Sequence, residues 1–387
     1  MLNKPHILFI PSWYSEHKGD LSGSFFREQI LGLYKQNINV GIIYPDLKPL
    51  WDYKKIRIIP KVSFENDSGI NTYRTLWSSW FPKIRFLQIQ SYKILGYFLF
   101  KKYIKRFGIP DIIHCHSTMN AGFLAELIHD NYNIPFVITE HSTGFFRALY
   151  GNYYSDISRI LNKSKLCLGV SSSLCSFLEK EISNSPKWVV HHNLVSEIFL
   201  NEEITIPKKQ PFIFISISYL IKRKNTSLIL KSFQRFNKTY PDSKLKIIGT
   251  GVEMKKLQKE CSILGISNKV TFMGSKSRTD VVKEINSSHV FVLGSIYETF
   301  GVVFIEALAL GRPVITTSCE GSEDIIDEKV GIITKQNDVE DMYLAMLEVY
   351  KNFDKYDSKK IREYCTDKFS EITLSSKLIN HYKNIIS

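Results

Sequence analysis

The sequence predicts an α/β protein built from two doubly wound, parallel-sheet domains. Three observations lead there. Short apolar runs of about four to eight residues alternate with helical patterns from one end of the chain to the other, the signature of repeated strand–helix–strand crossovers. The chain has 387 residues, too many for one ordinary core and suited to two domains of about 200. Near the midpoint the alternation stops at Asn201-Glu202-Glu203-Ile204-Thr205-Ile206-Pro207-Lys208-Lys209-Gln210-Pro211. Two prolines and a charge cluster mark this stretch as an interdomain linker. The expected division is residues 1–200, a linker 201–211, residues 212–368 and a terminal helix 369–387.

In the first half, His6 to Pro11 is a strand, Phe25 to Lys35 a helix and Val40 to Tyr44 a second strand. Ligands of open α/β sheets lie beyond the carboxyl ends of strands, so the loop from Ser12 to Ser24 is a candidate site segment. Its Gly19 and Gly23 are either positions of close backbone approach or plain turn glycines. The loop is not a G-x-G-x-x-G fingerprint, which disfavours a nicotinamide cofactor. Residues 83–107 form a long helix candidate. Next come strand Asp111 to His116, helix Ala121 to His129 and strand Phe136 to His141, which puts His141 at a carboxyl end. His114 and His116 alternate as packed strand positions do. These histidines come from two strands with no H-E-x-x-H and no cysteine partner, so no metal is expected. Strands Lys165 to Ser171 and Trp188 to Asn193 flank a helix from Ser172 to Ile182.

The second half opens with strand Phe212 to Leu220, followed by Ile221-Lys222-Arg223-Lys224-Asn225 and a helix. Lys246-Ile247-Ile248-Gly249-Thr250-Gly251 ends a strand in a G-x-G turn, and Val270 to Ser275 is another strand. His289 to Gly294 is an apolar run suited to a buried parallel strand. From Gly301 to Leu310 apolar residues recur at helical spacing, and Gly311-Arg312-Pro313 supplies a stop. Strand Pro313 to Thr317 and a last helix, Glu371 to Ile386, complete the pattern.

Glu298 therefore lies in a strand-to-helix turn and Glu306 inside the helix. With a helix starting near Phe300, Glu306 sits about 9 Å along the axis, at about 1.5 Å per residue. That separation does not fit one shared proton or metal, nor the carboxylate pair about 5 Å apart of a retaining glycosidase. The N–H groups of Phe300, Gly301 and Val302 lie between the acids at the positive end of the helix dipole, where a phosphate or pyrophosphate is favoured. Gly301 admits close approach of such a group. An anion at the helix start, with a carboxylate reaching hydroxyls on either side, is the layout of a nucleotide-diphosphate sugar.

Glu298 and Glu306, seven residues apart within Glu-Thr-Phe-Gly-Val-Val-Phe-Ile-Glu-Ala and followed by Gly311-Arg312-Pro313-Val314-Ile315, resemble the E-x7-E motif of the family four (group 1) glycosyltransferases. The resemblance implies the GT-B fold: two Rossmann-like domains facing a cleft, the first binding acceptor and the second the nucleotide sugar, with the last helix crossing back onto the first. It implies transfer with retention of configuration, by same-face attack and with no protein nucleophile. Residue by residue, it implies that Glu298 contacts the donor sugar and Glu306 the nucleotide ribose, with Thr299, Phe300, Gly301 and Val302 at the donor between them. Gly249 and Gly251 correspond to the nucleotide-side loop, and a family glycine in Glu320-Gly321-Ser322-Glu323-Asp324 approaches the donor. Lys224 resembles the phosphate-binding lysine. His141 corresponds to a histidine that contacts donor or acceptor, and Gly19 and Gly23 lie on the family's first loop, at donor and acceptor. One departure stands out. Where the family has Gly-Arg-Leu this chain has Ser218-Tyr219-Leu220, so the second phosphate-side cation has to be Arg223 or Lys222. No D-x-D triad occurs. Lys224, a neighbouring cation and the helix-start amides then have to neutralise the departing diphosphate, and the expectation is an enzyme without cofactor or required metal.

Composition bounds the rest. Hydrophobic residues at 44% and charged residues at 23% are ordinary for a soluble globular protein. The six cysteines, Cys115, Cys167, Cys175, Cys261, Cys319 and Cys365, form no C-x-x-C pair and are expected as reduced, buried thiols in a cytosolic compartment. Met1 to Pro5 runs straight into a strand, and no apolar run approaches about 18 residues, so neither signal peptide nor spanning helix is expected. The net charge of +13 calls for an anionic partner. It is concentrated between Lys54 and Arg106, where twelve Lys or Arg stand against Glu65 and Asp67. Within residues 77–106 Trp77, Trp80 and Phe81 precede interleaved aromatic and basic residues with no acid. An anionic bilayer attracts that composition; a solvated helix face is the bland alternative. The expectation is a cytoplasmic enzyme, peripheral on the inner face of the plasma membrane. It would glycosylate a saccharide or lipid-linked acceptor in bacterial capsule, exopolysaccharide or lipopolysaccharide synthesis, with no nucleic-acid partner. A nucleotide-sugar epimerase of the same fold, or a non-catalytic carbohydrate or nucleic-acid binding module, stays open as an alternative.

Overall fold

The computed structural model describes residues 4–14, 23–49, 58–80, 84–141, 153–182, 184–208 and 210–387. Two compact units make up the chain, Met1–His192 with Leu374–Ser387, and Asn193–Thr373.

The first unit is built on an eight-stranded sheet. In chain order its strands are β1 (His6–Pro11), β2 (Asn39–Pro49), β3 (Lys61–Asp67), β4 (Ile70–Ser79), β5 (Ile112–His116), β6 (Phe136–Glu140), β7 (Leu166–Gly169) and β8 (Trp188–Val190). Across the sheet they run β3-β4-β2-β1-β5-β6-β7-β8. Neighbours are parallel except β3 and β4. Helices α1 (Ser24–Lys35), α2 (Arg85–Phe107), α3 (Phe123–Tyr132), α4 (Tyr154–Lys163) and α5 (Ser172–Glu181) lie between the strands in the chain. Strand β1 is buried at every residue, as a central parallel strand covered on both faces has to be. It pairs with β2 on one side and β5 on the other, so the winding reverses there and the loops after β1 and β5 flank the ligand crevice of such sheets. The β3–β4 hairpin lies in the stretch whose basic composition pointed only to a helix. Its two-residue turn, Ser68-Gly69, has φ of 57° and 97°, the positive values that match the twist of a tight hairpin.

The second unit is a six-stranded sheet in the order β11-β10-β9-β12-β13-β14, parallel throughout. Its strands are β9 (Ile213–Ile217), β10 (Lys244–Ile248), β11 (Val270–Phe272), β12 (Val290–Leu293), β13 (Val314–Thr317) and β14 (Gly331–Thr334). The helices are α6 (Glu197–Leu200), α7 (Thr226–Thr239), α8 (Met254–Ile263), α9 (Arg278–Asn286), α10 (Val302–Ala309), α11 (Val339–Lys351) and α12 (Ser358–Phe369). This is the doubly wound nucleotide-binding order, with its switch point between β9 and β12. Gly301, at φ 90°, precedes α10. Beyond α10, the Gly311 N–H donates to Leu308 O at 2.9 Å and the Arg312 N–H to Ala307 O at 3.0 Å, the paired bonds of a Schellman stop around a left-handed glycine.

Residues 201–208 are not a free linker. The unit division falls at Asn193, and the polar stretch is a strap bonded to the second unit by buried side chains. Asn286 Nδ2 donates to Glu203 O at 2.7 Å, and the Thr205 N–H donates to Asn286 Oδ1 at 3.1 Å. Fully buried Arg312 donates to Thr205 O and, at 2.8 Å, to Asn286 O. His289 accepts the Ile213 N–H on Nδ1 and donates from Nε2 to Lys208 O. Burial pushes its pKa down to about 4, so it stays neutral as that bonding requires.

The last helix, α13 (Glu371–Ile386), belongs to the first unit from Leu374 onward. Leu378, Ile379 and Tyr382 join the core formed by Ile7, Phe9, Ile30 and Leu33, and the Tyr382 hydroxyl meets His114 Nδ1 at 2.5 Å. Tyr382→Ala is expected to destabilise the first unit by about 3–5 kcal/mol, the usual cost of deleting a buried aromatic. Tyr382→Phe, which keeps the ring and removes only the partner of His114, is expected to cost about 1–3 kcal/mol. Urea unfolding followed by tryptophan fluorescence and circular dichroism measures both, and equal losses would show that the hydroxyl, not the ring, anchors the helix.

Candidate functional site

The loops after β9 and β12 meet at the switch point of the second unit. Residues Lys222–Lys224 form a single tight turn, and Asn225 at φ 47° leads into α7. That turn aims Lys224 Nζ at Glu298 Oε1, an ion pair of two largely buried side chains. Ser295 Oγ donates to the same oxygen at 2.7 Å. The main chain of Glu298 is held as firmly as its carboxylate. Its N–H donates to Cys319 O at 3.1 Å and its carbonyl accepts the Gly321 N–H at 3.0 Å, while the Ile296 N–H donates to Arg223 O at 2.9 Å.

Helix α10 starts at Val302, two residues later than the start near Phe300 expected from the sequence. The amides without an intrahelical acceptor thus begin at Gly301, the Phe304 N–H donates to Gly301 O at 2.9 Å, and Phe300 is buried with its ring 5.9 Å from that of Phe369. Thr299 is half-buried beside it. Glu306 lies about 6 Å along the axis from Val302. Arg278, the first residue of α9, donates from Nη2 to Glu306 Oε1 at 3.1 Å and lies 5.4 Å above the Phe199 ring. Both acids of the E-x7-E pair thus carry a cation supplied by another loop.

The glycines have a simpler origin. A Cβ at Gly249 would overlap the Ser218 carbonyl, one at Gly251 the Leu220 carbonyl, and one at Gly321 the backbone of Phe300. Each lets one strand-end loop lie directly on the next, and the Leu220 N–H donates to Thr250 O at 2.9 Å across that contact.

Tyr219, at the position of the missing arginine, is 68% exposed, and Lys222 and Arg223 are exposed as well. Burial, then the Glu320 carboxylate, pushes the Tyr297 hydroxyl well above the usual phenol range, and the Arg223 charge opposes the shift. The main chain of Arg223 lies beside the same turn, its carbonyl accepting the Ile296 N–H. Glu320 bridges to Glu298 and sits at φ 63°, an uncommon conformation for a residue with a side chain. Burial raises its carboxyl pKa, the Tyr297 hydrogen bond opposes that, and Glu323 adds to it.

In the first unit, His141 follows β6, and its Nε2 lies 2.9 Å from His116 Nδ1 at the end of β5. His114 is bonded at both nitrogens, to Tyr382 and to Thr139 Oγ1 at 2.7 Å. Glu140, 1% exposed, accepts from Ser117 Oγ, the Thr118 N–H and Oγ1, and the His141 N–H at 2.9–3.2 Å. Ser117 and Asn120, at φ 67° and 68°, form the distorted turn that supplies this cage. Gly23 precedes α1 at φ 69°, its Cβ position 3.3 Å from Trp13 O and Tyr14 Cα, so the turn itself requires glycine. Gly19 lies outside the described residues. Among the described residues, no group of three or more His, Cys, Asp or Glu is placed to hold a metal ion.

Sequence reasoning assigned four residues of this geometry to no site: Arg278, Ser295, Glu320 and His116, the last read as a packed strand position. Ser295 lies three residues before Glu298, and Glu320 could have been found as a side chain beside Gly321 in a strand-end turn. Arg278 and His116 carry no local signal, because their partners are 28 and 25 residues away.

The family glycosyltransferase family 4 matches residues 23–196, and the family glycosyl transferases group 1 matches residues 198–366. An uncharacterised glycosyltransferase of Methanocaldococcus jannaschii is 27% identical over 349 residues, covering 83% of this chain and 86% of that protein. Sucrose-phosphate synthase from Thermosynechococcus elongatus superposes with a TM-score of 0.74 at 17% identity, over 99% of each chain. Anabaena HepE does so at 0.70 and 14% identity, over 98% of this chain and 100% of that one. With matches that between them run through both parallel-sheet units, and with the E-x7-E acids at the switch point of the second, this chain belongs to the family four, group 1 glycosyltransferases of GT-B fold.

Proposed function

We propose that the chain transfers a sugar from a nucleotide-diphosphate sugar to a saccharide or lipid-linked acceptor, with retention of configuration and no required metal ion. The observation that carries this reading is the Lys224–Glu298 pair at the β9/β12 switch point, directly before the start of α10. A cation and amide dipoles for a diphosphate adjoin a carboxylate for sugar hydroxyls. Anabaena HepE, similar in fold, is solved in complex with UDP, in keeping with a nucleotide donor.

In this mechanism Lys224, Arg223 and the amides of Gly301 and Val302 face the diphosphate, so the charge that develops on departure falls where these groups already point. Glu298 holds the sugar and Glu306, oriented by Arg278, the ribose hydroxyls. Gly249, Gly251, Thr299 and Phe300 shape the loops around the donor, while His141 hydrogen-bonds a sugar hydroxyl. The acceptor hydroxyl attacks on the face the diphosphate leaves, which retains configuration without a protein nucleophile.

The second part of the proposal is peripheral attachment to the inner face of the plasma membrane, where a lipid-linked acceptor of capsule, exopolysaccharide or lipopolysaccharide synthesis would be met. Among the described residues no helix is long and apolar enough to cross a membrane. Helix α2 instead exposes Phe86, Ile94 and Phe98, preceded by exposed Ile84, alongside exposed Lys101, Lys102, Lys105 and Arg106. Lys102 Nζ lies 5.1 Å from the Phe98 ring centre, and the helix contains no acid. Exposed apolar residues beside cations complement an anionic lipid surface, at about 1 kcal/mol per basic residue. Phe81 and Lys83 of the same stretch lie outside the described residues.

A thermal-shift screen against UDP, GDP, ADP and dTDP and their sugars is expected to give one stabilising nucleotide. Lys224→Ala is expected to lose that shift and about two orders of magnitude of turnover with its circular dichroism unchanged; near-native activity would reduce Lys224 to a surface residue. Transfer is expected to persist in EDTA, and loss restored by magnesium would refute neutralisation by protein groups alone. In flotation assays the protein is expected to rise with vesicles containing anionic lipid and not with neutral ones. Equal recovery with both, or none with either, rejects the membrane face.

A further inference from the structure

Lys224 and Glu298, which meet the donor from two different loops, are ion-paired with each other. Main-chain bonds bring them together. Lys224 closes a single tight turn, its N–H donating to Ile221 O at 2.9 Å, and the Arg223 carbonyl of that turn accepts the Ile296 N–H at 2.9 Å. Glu298 is held by its N–H to Cys319 O at 3.1 Å and by its carbonyl to the Gly321 N–H at 3.0 Å. The two side chains are 13% and 11% exposed. Ammonium and carboxylate are thus largely withdrawn from water, where opposite charges couple most strongly.

Both donors to the carboxylate reach one oxygen. Lys224 Nζ and Ser295 Oγ meet Glu298 Oε1, the serine at 2.7 Å. Oε2 accepts from none of the described residues, which leaves that oxygen to a sugar hydroxyl. With three N–H groups, Lys224 can keep Oε1 and still donate to a phosphate oxygen. Its charge, however, is then shared between two anions, so a diphosphate gains a hydrogen bond from Lys224 and little net attraction. In the sugar-linked donor each phosphate carries one charge. Once released, the terminal phosphate ionises again with a pKa of about 6, so at neutral pH the free diphosphate brings more negative charge and no sugar to engage Oε2.

We propose that Glu298 makes the site favour the sugar-linked donor over the released nucleoside diphosphate. It holds the sugar through Oε2, while its charge, matched to Lys224, withholds that cation from the diphosphate. The inference rests on the reading of the second unit as a nucleotide-sugar site and adds to it a role in product release. Lys224 donates to the departing group, and the acid beside it keeps the departed diphosphate from staying.

Isothermal titration of the full chain with UDP, GDP, ADP and dTDP, each as the bare diphosphate and as its glucose conjugate, tests this. For the base that the natural chain prefers, Glu298→Gln is expected to bind the bare diphosphate about tenfold to a hundredfold more tightly, because a largely buried cation loses its partner and takes the phosphate instead. The glucose conjugate is expected to gain less, so that the preference moves toward product. Ser295→Ala removes a neutral donor from the same oxygen and leaves the charge pair, and its diphosphate affinity is expected to stay within about threefold of the natural chain. Glu298→Ala, which leaves the main-chain bonds in place, is the second variant should circular dichroism show Glu298→Gln to be misfolded. A folded variant that binds the bare diphosphate no more tightly than the natural chain overturns the proposal. An equal gain in Ser295→Ala also overturns it, since a loosened carboxylate and not its charge would then be the cause. A natural chain that binds none of the four diphosphates removes the donor site itself, whereas binding without the gain keeps that site and removes only this role of Glu298.

Discussion

The site of the second unit depends on the backbone ties of one residue. The Glu298 N–H and carbonyl are hydrogen-bonded to Cys319 and Gly321 beyond β13, and two residues earlier the Ile296 N–H is bonded to Arg223 beyond β9. The strand-to-helix loop is therefore clamped between its two neighbours at the switch point. These are main-chain bonds, so they set the direction of the Glu298 side chain regardless of what that side chain meets. Gly321 belongs to the same constraint, since a Cβ there would overlap the backbone of Phe300.

Charge is arranged within that frame in matched pairs. A carboxylate removed from water costs several kcal/mol unless it is paired and hydrogen-bonded. Glu298 has Lys224 and Ser295, and Glu306 has Arg278. The two cations come from different loops, one after β9 and one at the start of α9, so each acid is oriented separately. This suits a ligand that is gripped at both ends around a central anion. The glycines at 249 and 251 contribute at one remove, by letting the β10 loop rest on the β9 loop that carries Lys224.

In the first unit the carboxylate at the end of β6 is tied down just as closely. The cage of Ser117, Thr118 and His141 main-chain and hydroxyl donors satisfies Glu140, and the positive φ angles of Ser117 and Asn120 are the local strain such turns carry at functional sites. Through Tyr382, the last helix reaches His114 in the middle of the sheet. Chain that ends in sequence after the second unit thus completes the core of the first.

Periodicity and motif chemistry determined much of this protein without coordinates. Buried parallel strands such as His6–Pro11 and Val290–Leu293 announce themselves as apolar runs, the stop at Gly311-Arg312-Pro313 as a left-handed glycine before proline, and Glu298 and Glu306 as acids flanking a helix start. Local sequence reports which face of an element is buried, and little else. Strand β3 is largely exposed, so it has no buried face to print a pattern. The polar stretch after Asn201 looks like a linker because composition does not record that Arg312, Asn286 and His289 hold its carbonyls. Only the tertiary structure decided that Arg278 meets Glu306 and that His116 meets His141. Those meetings follow from strand order and from which loops the sheet brings side by side, and a pairing between distant residues leaves no period in the chain for either one to show.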